Sequence, residues 1–197
     1  MNRLHHSSGQ APWRPAIGLA VSMLVICGGF YAAIITGLGG LLFPTQATGS
    51  LVMVEGKAMG SALVSQPFTS TVYFHGRPSS ADNDPMATGG SNLAPSNPEL
   101  RDRVAQQSAA LASTYQLEPE QLPVDLLASS GSGVDPHISP AAAALQVERV
   151  AQARGISTEQ VSQLVAQYNE PAQWGIFGQP RVNVLLLNLA LDNNYPL

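Results

Sequence analysis

The most pronounced pattern along the chain is an apolar run from Ala16 to Phe43, AIGLAVSMLVICGGFYAAIITGLGGLLF. It sits inside forty residues between Arg14 and Glu55 that include no Asp, Glu, Lys or Arg. About 20 apolar residues at about 1.5 Å rise cross a hydrocarbon core, so the run predicts a transmembrane helix over residues 16–38, fraying near Gly37 to Gly40. A cleaved signal peptide has an apolar region of only about 7 to 15 residues. This run is longer, and despite the small residues Ala47-Thr48-Gly49 the expectation is an uncleaved anchor. Gly29, Ala33 and Gly37 recur at i, i+4 and i+8, with Ser22 and Gly18 extending the row. Small residues on one face let membrane helices approach closely, so this face is a candidate for packing on a partner.

Beyond Pro44 the pattern shortens and mixes. Ser50 to Val64 reads as two strands around Glu55-Gly56-Lys57, a tight hairpin, and Phe68 to Phe74 (FTSTVYF) has the composition of a third strand. His75 to Ser96 holds little that is apolar and predicts a long loop. Ser96-Asn97-Pro98-Glu99 opens a helix carrying Leu100, Val104, Ala105, Leu111 and Ala112, and Leu122 to Ala128 reads as a return to strand. Ser139-Pro140 opens a helix to Arg154 that Gly155 stops. Ser157 and Gln160 form a capping box for a helix with Val161, Leu164, Val165 and Tyr168 on one face. Val184 to Leu191 fits a helix capped by Asn183 better than a strand. The sum is an α+β domain, helices covering one side of a small antiparallel sheet. The predicted organisation is a tail at 1–15, the membrane helix at 16–38 and a single extracytoplasmic domain at 39–197.

Composition adds direction. The chain is 45% apolar and 11% charged, against roughly 25% charged in ordinary soluble domains. Its 9 basic residues, Lys57 the only lysine, face 13 acidic ones for a net charge of −4, which gives no nucleic-acid footprint. Cys27 stands alone, excluding an intrachain disulfide and a zinc site of the all-cysteine type. Arg3 and Arg14 precede the apolar run with no acidic residue before Glu55, so the positive-inside rule predicts a cytoplasmic tail and an outer domain. His5 and His6 in that tail are read as incidental. The remaining basic residues face all 13 acidic ones, leaving the outer domain at −6.

Candidate chemistry concentrates in Ser129 to Pro140, SSGSGVDPHISP. Ser132, Asp135 and His137 are the residue types of a hydrolytic triad, yet no GxSxG elbow accompanies them, and neighbouring loop residues rarely converge as a triad must. A loop that sets up the following helix is the simpler reading. Asp135 and His137, joined by His75 or Asp125, supply weak metal-ligand chemistry, with no HExxH or EF-hand pattern. Thr88 to Asn92 (TGGSN) is glycine-rich and has Arg77 and Arg101 as basic candidates to complement an anion, but it lacks a P-loop lysine. From the residues alone, no catalytic, cofactor-binding or metal position is assigned.

Read together, five tracts resemble the KdpC family, the C subunit of the bacterial Kdp potassium-transporting P-type ATPase. They are YFHGRPS (Tyr73 to Ser79), GGSNLAPSNPEL (Gly89 to Leu100), PVDLLASSGSGVDPHISPAAA (Pro123 to Ala143), RVAQARG (Arg149 to Gly155) and PRVNVLLLNLALD (Pro180 to Asp192). Ala94 stands where the family commonly has glycine. The resemblance implies an accessory subunit without transport or hydrolysis of its own. Its implied partners are a channel-like potassium-binding subunit, a P-type ATP-hydrolysing subunit and a small single-helix subunit in the inner membrane. It implies ATP as the nucleotide of the complex and potassium as the transported ion. It further implies a catalytic chaperone that raises the ATP affinity of the hydrolysing subunit, with the GGS tract as a nucleotide-contacting signature. Direct contact conflicts with an outer domain, where ATP is essentially absent, so indirect coupling is the expectation. The expected arrangement docks the small-residue row on the large subunits and places the −6 domain over the outer mouth of the potassium pathway. The alternative is a membrane-anchored extracytoplasmic hydrolase using Ser132, Asp135 and His137.

Overall fold

A computed structural model of the chain describes Trp13–Leu197, so Arg3, His5 and His6 lie outside the described residues. The chain forms two compact units that divide after Gly49. The first is dominated by one helix, α1 (Trp13–Leu42), long and apolar enough to cross a membrane. None of its side chains is buried, and its large apolar residues from Ile17 to Leu42 are roughly half exposed or more. Such a surface is not tolerated by water and requires lipid or protein around it. Leu24–Tyr31 is wound as π-helix. Each i→i+5 closure holds one residue more than an α-turn, so Gly18 and Ser22 do not continue the Gly29, Ala33, Gly37 row in a straight line. Ser22 Oγ donates to Gly18 O at 2.8 Å, which satisfies the hydroxyl within its own helix.

The second unit mixes helix and sheet. Strands β1 (Leu51–Val54) and β2 (Lys57–Ser61) pair antiparallel around Glu55 (φ 50°) and Gly56 (φ 78°), two left-handed positions that match the strand twist. Three very short strands, β3 (His137–Ile138), β4 (Asn169–Glu170) and β5 (Arg181–Asn183), form an antiparallel sheet ordered β3-β5-β4. Four further helices follow the expected start and stop signals. Asn97 caps α2 (Pro98–Tyr115), Ser139 caps α3 (Pro140–Arg154), a Ser157/Gln160 capping box opens α4 (Thr158–Gln167) and Asn183 caps α5 (Val184–Asn194). Gly155 ends α3 at φ 66°.

The core is helical. Ala142, Ala143, Val150 and Ala151 of α3 pack on Val161, Leu164 and Val165 of α4 and on Leu187 and Leu191 of α5, with Val182 of β5 and Ile138 of β3 beneath. Alanines on α3 let its neighbours approach closely. The hairpin attaches to this core through Asn183, whose Nδ2 donates to Ala62 O at 2.8 Å.

Two predicted strands are absent. Leu122 to Ala128 folds into short helical turns, with Leu122 and Leu126 buried four residues apart rather than in alternation. Asp125 points toward α3, accepting from Ser139 N (2.7 Å) and Ser139 Oγ (2.9 Å). Phe68 to Phe74 has strand composition but pairs with no strand: Thr71 O, Val72 O, Tyr73 O and both backbone groups of Phe74 bond to side chains, while Phe68 N and Tyr73 N close local turns. The tract from His75 to Ser96 contains no regular element, as expected.

Candidate functional site

The YFHGRPS tract is held by polar side chains projecting from α3 and α5. Asn188 is buried and clamps Phe74 on both sides, its Oδ1 accepting from Phe74 N at 2.8 Å and its Nδ2 donating to Phe74 O at 2.9 Å. Gln146, also buried, does the same for His75, with Oε1 accepting from His75 N at 2.8 Å and Nε2 donating to His75 O at 3.1 Å. Arg149 donates to the carbonyls of Thr71 and Tyr73 and to Tyr115 Oη. Arg154 donates to Val72 O (2.7 Å), Tyr195 O (2.9 Å) and Asp192 Oδ1 (2.6 Å), and its guanidinium lies 5.0 Å from the Tyr73 ring centroid. Its side chain is 1% exposed, so the charge is tolerated only because its donors are matched and Asp192 balances it. These side chains do the work of a neighbouring strand. Sequence reading missed them, though a signal was present: Asn188 interrupts VLLLNLAL and Gln146 interrupts AAALQV at positions that the helical period sends inward.

Past the clamp the tract enters an open cleft of about 660 Å³ lined by Arg77, Asp125, Asp135, His137, Ser139 and Arg181 among others. Arg77 Nη1 donates to Asp135 Oδ2 at 3.0 Å, while Asp135 Oδ1 lies 3.1 Å from His137 Nδ1 and accepts from His137 N at 3.1 Å. Burial pushes the Asp135 pKa up. The hydrogen bonds from His137, followed by the charges of His137 and Arg77, outweigh that and hold the carboxyl below its ordinary value.

The structure therefore brings Asp135 and His137 together but does not complete a triad. Ser132 is exposed, its Oγ accepts from Val134 N at 3.2 Å, and it does not line the cleft. His75 sits apart with Nε2 3.0 Å from Ser70 O, and Asp125 is committed to Ser139. No group of three or more metal-ligating residues is found among the described residues.

The glycines of the GGS tract have a packing role. Gly89 N donates to Ser132 O at 2.8 Å, and a Cβ on Gly90 would come within 3.0 Å of Gly131 O. Across this seam Gly133 adopts φ 73°, and a Cβ there would lie 2.6 Å from Ala81 Cβ and 2.7 Å from Gly89 O. Two glycine-rich tracts thus close on each other backbone to backbone. Arg77 is held by Asp135, and Arg101 Nε donates to Pro95 O at 3.2 Å. Gly89 N–H, Arg77 and Arg101 thus each donate to an acceptor of the chain itself.

The family model described as KdpC, K+-transporting ATPase, c chain, matches residues 13–193. A protein of Shewanella putrefaciens named potassium-transporting ATPase KdpC subunit is 58% identical over 173 residues, 88% of this chain and 87% of its own. Proteins of the same name from Xanthomonas oryzae pv. oryzae and Geobacter metallireducens are 51% identical over 179 residues and 46% over 187. They cover 91% and 93% of this chain, and 86% and 98% of their own lengths.

Proposed function

The chain belongs to the KdpC family, the c chain of K+-transporting ATPases, and on that premise we propose that it is a non-catalytic accessory subunit of a potassium uptake complex. It assembles with a channel-like potassium-binding subunit, a P-type ATP-hydrolysing subunit and a small single-helix subunit. Helix α1 anchors it in the inner membrane with Arg3 and Arg14 on the cytoplasmic side and residues 39–197 outside. Potassium is the transported ion, and ATP is bound and hydrolysed by a partner. The outer domain covers the mouth of the ion pathway and raises the partner's ATP affinity by biasing its conformation.

The observation that carries this reading is the reach of the family match, which includes both the membrane helix and the domain. Several of the tracts that resemble the family bond to one another, Phe74 to Asn188, Arg77 to Asp135, Arg154 to Asp192 and Gly89 to Ser132. Purification of the full chain in mild detergent from cells expressing the whole complex is expected to recover the hydrolysing and potassium-binding subunits with it. Elution of the chain alone would overturn the proposal. The hydrolase alternative draws on the Asp135–His137 contact. It is tested by a Ser132→Ala, His137→Ala variant, which is expected to support growth at limiting potassium as the parent does.

A further inference from the structure

Residues 171–180, PAQWGIFGQP, carry no charge, and apart from Gln179 and Pro180 at their end they lie outside the cleft above. They form the end of an arm whose stem belongs to the sheet. Asn169 pairs with Val182 and Glu170 with Arg181, Val182 is fully buried, and Arg181 Nε meets Glu170 Oε2 at 2.9 Å across the neck. Beyond the neck, Gln173 and Phe177 bridge through Gln173 N to Phe177 O (2.8 Å) and Phe177 N to Gln173 O (2.9 Å). Trp174 (φ 54°) and Gly175 (φ 75°) turn the chain in the left-handed region, and the Trp174 ring meets Phe177 edge-on at 5.9 Å. A left-handed backbone is unfavourable at tryptophan, whose Cβ crowds the following carbonyl. The result is that Trp174, Ile176 and Phe177 are 81%, 78% and 58% exposed on a turn fixed by hydrogen bonds. Scattered apolar residues at a surface are ordinary; three within four positions on a pre-formed turn mark a contact.

We propose that this tip is a lipid contact, seated in the interfacial layer of the same bilayer that α1 crosses; the inference rests on the membrane reading of α1. Helix α1 ends at Leu42 and the second unit begins at Ser50. The linking residues 43–49, at about 3.5 Å each, reach no further than about 25 Å. A body of this length has a radius of gyration of roughly 15 Å, so the bilayer surface stays permanently within its range. Tryptophan favours the headgroup boundary, Ile176 and Phe177 add apolar surface beside it, and the uncharged tip desolvates no ion on entering it. The acidic balance of the outer domain, −6, favours zwitterionic over anionic headgroups.

The chain has two tryptophans, Trp13 and Trp174, so a Trp13→Phe variant leaves Trp174 as the sole indole reporter. The full-length variant reconstituted in phosphatidylcholine vesicles is expected to show blue-shifted emission. Lipids brominated near the headgroup end of the acyl chains should quench it severalfold, and aqueous acrylamide only weakly. Red-shifted emission, open to acrylamide and insensitive to brominated lipid, would overturn the proposal. So would shielding that arises only when the whole complex is assembled, which would assign the tip to a protein partner. The reciprocal Trp174→Phe variant reports the anchor through Trp13. If Trp13 is quenched by brominated lipid and Trp174 is not, the anchor stands and the tip proposal fails. If neither is quenched, the membrane reading of α1 fails first.

Discussion

Asn188 shows how much one side chain can settle. An Asn188→Leu change adds apolar volume yet leaves Phe74 N–H and C=O without partners, at about 1–3 kcal/mol for each buried group. The expected loss is about 2–5 kcal/mol in denaturant unfolding of the full chain. Asn194→Ala on the same helix, where the amide reaches only Ala190 O of its own turn, is expected to cost under about 0.5 kcal/mol. His75, next along the clamped segment, adds a dependence on pH. Burial lowers its pKa from 6.5, the Ser70 carbonyl acts in the opposite direction, and the Arg149 charge adds to the lowering. The unfolded chain therefore takes up this proton first. The stabilisation is full above about pH 6.5 and is lost as pH falls from there through the folded value. Comparing unfolding midpoints at neutral and mildly acidic pH in parent and His75→Gln chains should show a smaller acid-side loss in the variant.

At the scale of elements, what could be read from sequence depended on whether the signal was local. Caps at Asn97, Ser139, Ser157 and Asn183, the stop at Gly155 and the Glu55-Gly56 turn each reside within a few residues, and all were legible. Strands of two or three residues, such as His137–Ile138, are too short to show a period of two and were not. FTSTVYF misled for a different reason: Ser70 to Tyr73 closes a local turn, and Thr71, Val72, Tyr73 and Phe74 bond to side chains more than 70 positions away on α3 and α5. The candidate site was half legible, since Asp135 and His137 do meet while Ser132 turns to its own loop. Gly155 and Gly133, both at positive φ, separate conformation from packing. Gly155→Ala meets open space and should cost about 1 kcal/mol. Gly133→Ala must also displace Ala81 and Gly89, so roughly 2–4 kcal/mol is expected, measurable as a larger fall in melting temperature.

At the scale of the whole molecule, the low charge fraction divides into a helix whose single charged residue is Arg14 and an acidic domain. Among the described residues a Cβ at Gly29 or Gly37 meets nothing within 4 Å, so leucine at both is accommodated by the isolated subunit. If that face packs on a partner helix, the Gly29→Leu, Gly37→Leu chain should express and fold normally yet lose most of its co-purifying hydrolysing subunit. The clamp on Phe74 and His75 bears on a different quantity, the rate at which amide protons exchange with solvent. Both residues lie in an irregular segment, where exchange is ordinarily fast, but each N–H is held by a buried amide on a different core helix. Their exposure requires α3 and α5 to release the segment, which opens the core itself. These two loop amides are therefore expected to exchange as slowly as Val150 or Leu187, reporting the stability of the entire domain from outside its regular structure.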